Sequence, residues 1–586
     1  MEPTKLLAGL LVTSLLCFFV DGKSYKPEEK ITMYVNKVGP FFNPQETYPY
    51  FSLPVCRPKT VSFRELNLGQ LLIGDRMAVS PYEVHFGKDT PETSLCTLTP
   101  TGEELSRLRS AVEDLYYFEF VLDDIRLRGF LGRMEEHMFP HRHFLYFWTH
   151  HHFTVLKNGD KVIYASVNTT TQPAVRIDEL NTGGELKIPF TYSLSWADTS
   201  TKYKNRDELT KRTKFFHDNV EIHWLSIFNS LLLTVMLMAF MAFILMRVLN
   251  NDMARYNSNN PEEDMEDLGW KVLHGDVFRF PAHKSFLCAL LGCGTQFLTL
   301  AVGIVVMACF DLFNIHNHGS MATAGVFLYA MTCCISGYVS SRFFRMLDGH
   351  RWAWNIILTS SLFSLPFFIV WSVINSVAWY NQSTQALPFT TIFLLMLVWL
   401  FIGFPLTVIG GITGRNHADV FNPPCRTKNI PREIPPLSFL HRLPVRMLIG
   451  GFLPFSSVSV ELYYVFSTMW GRQVYTLYGI LLLVFVILVS MTVCLSVVQT
   501  YFQLRGGDYR WWWQSIVSAG STGFFVFAYA VFYFYWRSQM SGTLQTVQYF
   551  GYAVLICYVF FLTQGTISFF SSLFFTRYIY SRLRMD

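Results

Sequence analysis

One carboxylate stands where carboxylates are costly. Glu461 lies in Val458-Ser459-Val460-Glu461-Leu462-Tyr463-Tyr464, inside an apolar run about long enough to cross a bilayer. An ionisable group at that depth faces a bundle interior or water and marks an ion or ligand site. Two plainer assignments stand beside that one: a protonated, hydrogen-bonded structural Glu, or a position near the membrane surface. Histidines form a second constellation, His141, His143, His150, His151 and His152. Such tracts bind metal or switch with pH. No acidic or cysteine partner is spaced with them as a zinc site requires, so an exposed loop and strand edge is the competing reading. Beyond the leader, Cys56 and Cys96 are the cysteines of the N-terminal polar part. In an oxidising compartment they can form one disulfide, and spacing alone does not separate that from two free thiols. The chain has no CxxC, HExxH or GxSxG and no paired membrane aspartates. The familiar hydrolytic and metalloprotease chemistries are thereby removed, and neither cofactor nor metal is expected.

The elements that must position these residues are mostly membrane helices. The chain has 586 residues, 51% of them hydrophobic. Its mean hydropathy is +0.27. A helix needs about 20 mostly apolar residues to span a bilayer. Nine runs qualify: 224–246, 285–310, 321–341, 353–376, 388–412, 446–468, 474–502, 515–536 and 547–575. In lipid every backbone amide must be paired within its own segment, which makes these runs helices. The net charge of +5 is small for this length and gives no nucleic-acid footprint.

Residues 1–22 read as a cleavable signal peptide. Lys5 is the basic flank, Leu6–Phe19 the apolar stretch, and Val20 and Gly22 precede the cut. Residues 23–223 follow as a polar, β-rich domain. Lys30–Val38, Tyr82–Phe86 and Phe190–Trp196 read as strands, and Phe153–Leu156 and Lys161–Val167 as a hairpin about Asn158-Gly159. Thr101 and Glu104 form a capping box for a helix over Gly102–Tyr117, with Leu105, Leu108, Val112 and Leu115 at helical spacing. A β-sandwich with one or two helices is expected. Asn168-Thr169-Thr170 is a glycosylation sequon, and Asn381-Gln382-Ser383 a second one in a short loop.

A cleaved leader and nine crossings in 224–575 place the N-terminal domain in the lumen and the tail, 576–586, in the cytosol. The charge pattern agrees with the positive-inside rule. Arg342, Arg345 and Arg351, then Arg426, Lys428, Arg432, Arg442 and Arg446, then Arg577, Arg582 and Arg584 fall on the cytosolic side, whereas the luminal connections carry Arg472 and Arg537. The acidic run Glu262, Glu263, Asp264, Glu266 and Asp267 reads as a solvated loop or a partner-binding patch. Pro366, Gly403, Pro405, Gly410, Gly411, Gly450, Gly451 and Pro454 interrupt the fourth to sixth spans. They serve either ordinary close packing or a groove where a helix or lipid docks.

Several stretches together resemble the transmembrane 9 superfamily, the nonaspanins, and within it the member 1 branch. They are Tyr34-Val35-Asn36-Lys37-Val38-Gly39-Pro40, Asn43-Pro44-Gln45-Glu46-Thr47-Tyr48, Leu53-Pro54-Val55-Cys56 and Asp276-Val277-Phe278-Arg279. Pro424-Cys425-Arg426-Thr427-Lys428-Asn429-Ile430-Pro431-Arg432 and Asp508-Tyr509-Arg510-Trp511-Trp512-Trp513 follow in order. The resemblance covers essentially the whole mature chain. It implies a luminal β-rich domain, nine spans and residence in Golgi and endosomal membranes. It also implies a non-enzymatic role in sorting or surface delivery of other membrane proteins, notably those with glycine-rich spans, with links to adhesion, phagocytosis and autophagy. Members of the family typically end in Lys-x-Asp or Lys-x-Glu, read by the coatomer coat. This chain ends in Arg584-Met585-Asp586. Arginine keeps the charge, but a planar guanidinium does not fit every lysine pocket. The expected partners are transmembrane cargo proteins, coatomer and membrane lipids. The competing function is a transporter or channel using Glu461; no internal repeat of two matching halves supports it.

Overall fold

The computed structural model describes residues 23–138, 141–170, 174–178, 186–212, 215, 224–256, 269–310, 312–313, 318–436, 438–471 and 478–582. The expected signal peptide, the acidic run at 262–267, Arg472, Arg584 and Asp586 lie outside the described residues.

The N-terminal part is built on β1 (Lys30–Pro40), which pairs with β2 (Tyr48–Pro49), β3 (Ala78–His85) and β5 (Tyr116–Leu122). β6 (Ile125–Phe130) completes that sheet beside β5. β4 (Thr90–Leu98), β9 (His150–Asn158), β10 (Lys161–Asn168) and β12 (Ile188–Asp198) form a second sheet, in the order β10-β9-β12-β4. A third, smaller sheet joins β7 (Gly132–Met138), β8 (His141–Phe147) and β11 (Val175–Arg176). Alternation drives the packing. The inward residues of β3 are buried at every second position, and they meet Phe118, Phe120, Phe153 and Phe190 in one core shared by the sheets. The expected sandwich is therefore present, with a third sheet added to it.

Two local expectations are corrected. The capping box on Thr101 is formed, but its helix runs Gly102–Glu113 and stops short of Tyr117. Leu115 takes a φ of 52°, which ends the helix and turns the chain into β5 at Tyr116. The hairpin loop is Gly159-Asp160 rather than Asn158-Gly159, because Asn158 pairs with Lys161. In that loop Gly159 alone takes a positive φ, 61°, as a II′-type turn asks of its first central residue.

Among the described residues nine helices are long and apolar enough to cross a membrane. They are Ile227–Ala254, Lys284–Cys309, Ser320–Met346, Trp352–Tyr380, Phe389–Asn416, Leu443–Trp470, Gly479–Arg505, Trp511–Arg537 and Thr543–Ser581, called here the first to ninth spans. The fifth contains a π-turn at Trp399–Gly403 and the eighth one at Tyr533–Arg537. The glycines singled out in the sequence are largely consumed by internal packing. A Cβ at Gly410 or Gly414 would overlap the backbone of Cys334 or Tyr338 in the third span, and one at Gly337 would overlap the Thr407 carbonyl. Gly450 and Gly451 lie likewise against Ser518, Ser521 and Phe525 of the eighth span.

Candidate functional site

The N-terminal part sits on one end of the bundle, the end where the second, fourth, sixth and eighth spans finish; this end is called proximal. On the N-terminal side the contact is made by residues of the stretch Asn43–Tyr48 quoted above, together with Arg76. Asn43 bonds Ser541, with the Ser541 amide donating to Asn43 Oδ1 at 2.9 Å. The Gln45 amide donates to Gln545 Oε1 at 3.1 Å. Thr47 and Thr384 share a hydroxyl contact of 2.6 Å, and the Ser383 hydroxyl donates to the Thr47 carbonyl. The Arg76 guanidinium donates to the Ala386 carbonyl at 2.5 Å.

Beside these contacts lies a buried charged node. Lys37 Nζ stands 3.1 Å from Asp75 Oδ1, and Arg126 Nη2 is 3.4 Å from Asp75 Oδ2. Asn36 Nδ2 donates to Asp75 at 2.9 Å and to Glu119 at 3.0 Å. Arg128 Nε donates to Glu119 Oε2 at 2.9 Å. The bundle contributes His318, whose ring nitrogens both lie 3.2 Å from Arg126 Nε and whose Nδ1 is 3.8 Å from Asp75 Oδ2. Burial alone would push both carboxyls up. Lys37, the His318 ring and Arg126 outweigh it at Asp75 and hold that group well below the ordinary carboxylate range. At Glu119 burial is likewise overcome, by Arg126, Arg128 and Lys37, which bring it to about 2. Burial and the neighbouring Arg126 press the His318 pKa down, so the ring is neutral at pH 7. Sequence reasoning missed this node. Its members come from four separate stretches, and only Asn36 and Lys37 belong to a quoted motif.

The other motifs meet at the distal end. Arg279 holds Asp276 at 2.6 Å and donates to the Lys428 carbonyl, while the Lys428 amide donates to the Gly275 carbonyl. Trp511 and Trp513 donate through their indoles to Val277 and Ala282. The motif residues are thus used as two joints, one at each end of the spans.

Glu461 lies on the buried stripe of the sixth span, at helical spacing with Gly450, Pro454 and Val458. It faces the bundle and is 7% exposed. The other buried charge within the described spans is Arg446, which the sequence analysis had placed in the connection before the sixth span. Arg446 instead enters the membrane helix and binds Gln503 at 2.6 Å and Gln514. Fifteen residues separate Arg446 from Glu461, roughly 22 Å along a helix, so the two do not form a pair.

His150, His151 and His152 are held by hydrogen bonds within the N-terminal part. β9 pairs in parallel with β12, which sets His150 beside Thr191 (2.7 Å) and Ser193 (2.9 Å), and His152 beside Ser193 (2.8 Å). His151 points into the core, bonded to the Tyr82 hydroxyl at 3.1 Å. Burial drives its pKa down to about 3. Among the described residues no group of His, Cys, Asp or Glu is arranged to hold a metal. Cys56 and Cys96 are joined by a disulfide with a Cα–Cα distance of 6.0 Å. Asn168 is exposed at the end of β10, its Oδ1 accepting from the Thr170 amide and hydroxyl. Asn381 instead donates to the Val377 carbonyl, and the Ser383 of its sequon is buried under Thr47.

Comparison with known proteins places this geometry. The sequence model of the family described as Endomembrane protein 70 matches residues 47–543. The chain is 54% identical to transmembrane 9 superfamily member 1 of Mus musculus over 97% of its own length and 95% of that protein. It is 42% identical to transmembrane 9 superfamily member 4 of Arabidopsis thaliana, over 98% of the chain and 99% of the relative. A Dictyostelium discoideum protein named as a phagocytic receptor is also 42% identical, over 99% of the chain and 98% of that protein. No solved structure matches the chain at a significant level. Nine candidate spans, a β-rich N-terminal part and matches over nearly the full chain make this protein a member of the transmembrane 9 superfamily, the Endomembrane protein 70 family.

Proposed function

We propose that the protein is a non-enzymatic sorting receptor of the Golgi and endosomal system. In this reading its N-terminal domain is luminal and its tail cytosolic, and it carries other transmembrane proteins, notably those with glycine-rich spans, towards their membranes. The observation that carries the reading is the proximal joint. Asn43, Gln45, Thr47, Arg76 and Arg126 of the N-terminal part meet Ser541, Gln545, Thr384, Ala386 and His318 at the ends of the spans. In this reading a cargo contact on the domain is passed to the bundle through that joint. Membership of the family and the relative named as a phagocytic receptor support the same reading. The glycan acceptor would be Asn168, which is exposed. The tail residues Arg584 and Asp586 would engage coatomer.

The test is capture of cargo. Full-length protein with an internal tag is crosslinked in cells, and recovered membrane proteins are compared with those recovered by a variant in which Thr384→Val and Gln545→Leu remove contacts across the joint. Enrichment of proteins with glycine-rich spans, weakened in the variant, is expected. Recovery of no membrane protein above background would end the sorting reading. The competing transporter reading keeps one observation, the bundle-facing Glu461. It requires substrate flux in proteoliposomes that Glu461→Gln abolishes.

A further inference from the structure

We infer that the second to fifth spans hold one acyl chain of a bilayer phospholipid in a side cavity. The cavity measures about 370 Å³. Its wall includes Gly325 and Tyr329 of the third span, Phe363 and Trp371 of the fourth, and Trp399 and Gly403 of the fifth. Counted at 1.5 Å per residue from the proximal helix ends, these positions lie roughly 8–26 Å deep, inside a hydrocarbon layer about 30 Å thick. At the proximal end the wall includes Leu72 of the N-terminal part, whose short helix Leu68–Leu72 meets the third span where Gly69 touches Gly319. Most of the wall is only half-buried, and Leu365, Ile369, Leu394 and Phe401 beside it are exposed, so the cavity opens towards lipid.

The chemistry selects the occupant. No charged side chain lines the cavity. The Tyr329 hydroxyl and Ser364 bond each other at 3.1 Å, and Ser364 also bonds its own helix. A charged or polar group inside it would go unpaired, so the occupant enters as hydrocarbon and its headgroup stays outside. The space is also built rather than accidental. The π-turn at Trp399–Gly403 interrupts the regular fifth span at the wall, and Pro366 interrupts the fourth. A Cβ at Gly325 would meet nothing within 4 Å, unlike the neighbouring Gly337, which is packed against backbone.

The experiment uses full-length protein in phosphatidylcholine nanodiscs doped with phosphatidylcholine bearing a mid-chain diazirine. After photolysis, labelled peptides are mapped by mass spectrometry. Label is expected to concentrate on Phe363–Trp371 and Leu395–Gly403 over the lipid-exposed face of the first span. Gly325→Phe fills the cavity and should lose that excess while first-span labelling is unchanged. Should Gly325→Phe fail to fold, Gly325→Leu is read the same way, and native mass spectrometry of wild type after detergent washing should retain one phospholipid. Equal labelling of all lipid-facing spans overturns the proposal. So does a cavity label that survives a folded Gly325 variant, or a Gly325→Cys variant that crosslinks to a second polypeptide.

Discussion

Replacing Asp75 by Asn should loosen the N-terminal part from within. The substitution keeps size and the acceptor that Asn36 uses, but removes the charge that Lys37 and Arg126 share. The Asp75 side chain is fully buried and that of Lys37 is 10% exposed. At 3.1 Å the Lys37–Asp75 attraction is about 5 kcal/mol for an effective dielectric near 20, before desolvation is subtracted. Removing one partner of a buried pair costs about 3–5 kcal/mol, because the other charge stays buried. The lower figure corresponds to a roughly 150-fold larger open population, and so to faster exchange by that factor. Hydrogen exchange in full-length protein reads this at Val35 and Val38 of β1 and at Phe118 and Phe120 of β5. Adding Lys37→Met to Asp75→Asn removes the stranded cation and should recover at least about 1 kcal/mol, a coupling that independent sites would not show. A loss below about 1 kcal/mol for Asp75→Asn, or strict additivity in the double variant, refutes the reasoning. The pH dependence has a definite sign. Asp75 and Glu119 are held below their unfolded values, so their contribution is complete above about pH 4.3 and is lost as pH falls towards 2.

Three further outcomes are expected. His151, with a folded pKa of about 3 against about 6.5 unfolded, binds its proton preferentially in the unfolded state. Its contribution is complete above pH 6.5 and falls by about 2 kcal/mol on going to pH 5; thermal unfolding of wild type against His151→Gln should show a shallower acid slope in the variant. Cys56→Ser/Cys96→Ser opens a link across 40 residues and should cost about 4 kcal/mol by the loop-entropy relation, read as β4 exchange or protease sensitivity. Gly410→Leu drives a side chain into the Cys334 carbonyl and should cost about 3 kcal/mol, the upper end for overpacking, seen as a lower Tm in nanodiscs.

The bundle was legible because hydrocarbon imposes a length and composition on any span. All nine runs reappear, most of them longer by a turn or so, since helices continue past the apolar stretch into the interface. Helix initiation at Thr101 was legible from its capping box; its end was not, because Leu115 carries no breaker signature and turns under tertiary demand. The depth of Arg446 was misjudged for a similar reason. An arginine reads as a loop residue until Gln503 and Gln514, from other segments, supply its partners. Asp75, Glu119, Arg126 and His318 are ordinary residues in their local contexts. Only the fold brings them together, so no local pattern announces the node. The motif residues were visible in order, but their common use as joints at the two bundle ends required coordinates.

The central claim, that this is a sorting receptor working through its tail, is tested most directly by coat and cargo capture with the C-terminus left free. Internally tagged wild type is crosslinked in cells beside Arg584→Ala/Asp586→Ala. The account predicts that wild type recovers coatomer together with membrane proteins bearing glycine-rich spans, and that the variant loses coatomer and leaves the Golgi. Recovery of neither cargo nor coatomer by wild type, with location unchanged in the variant, would contradict it.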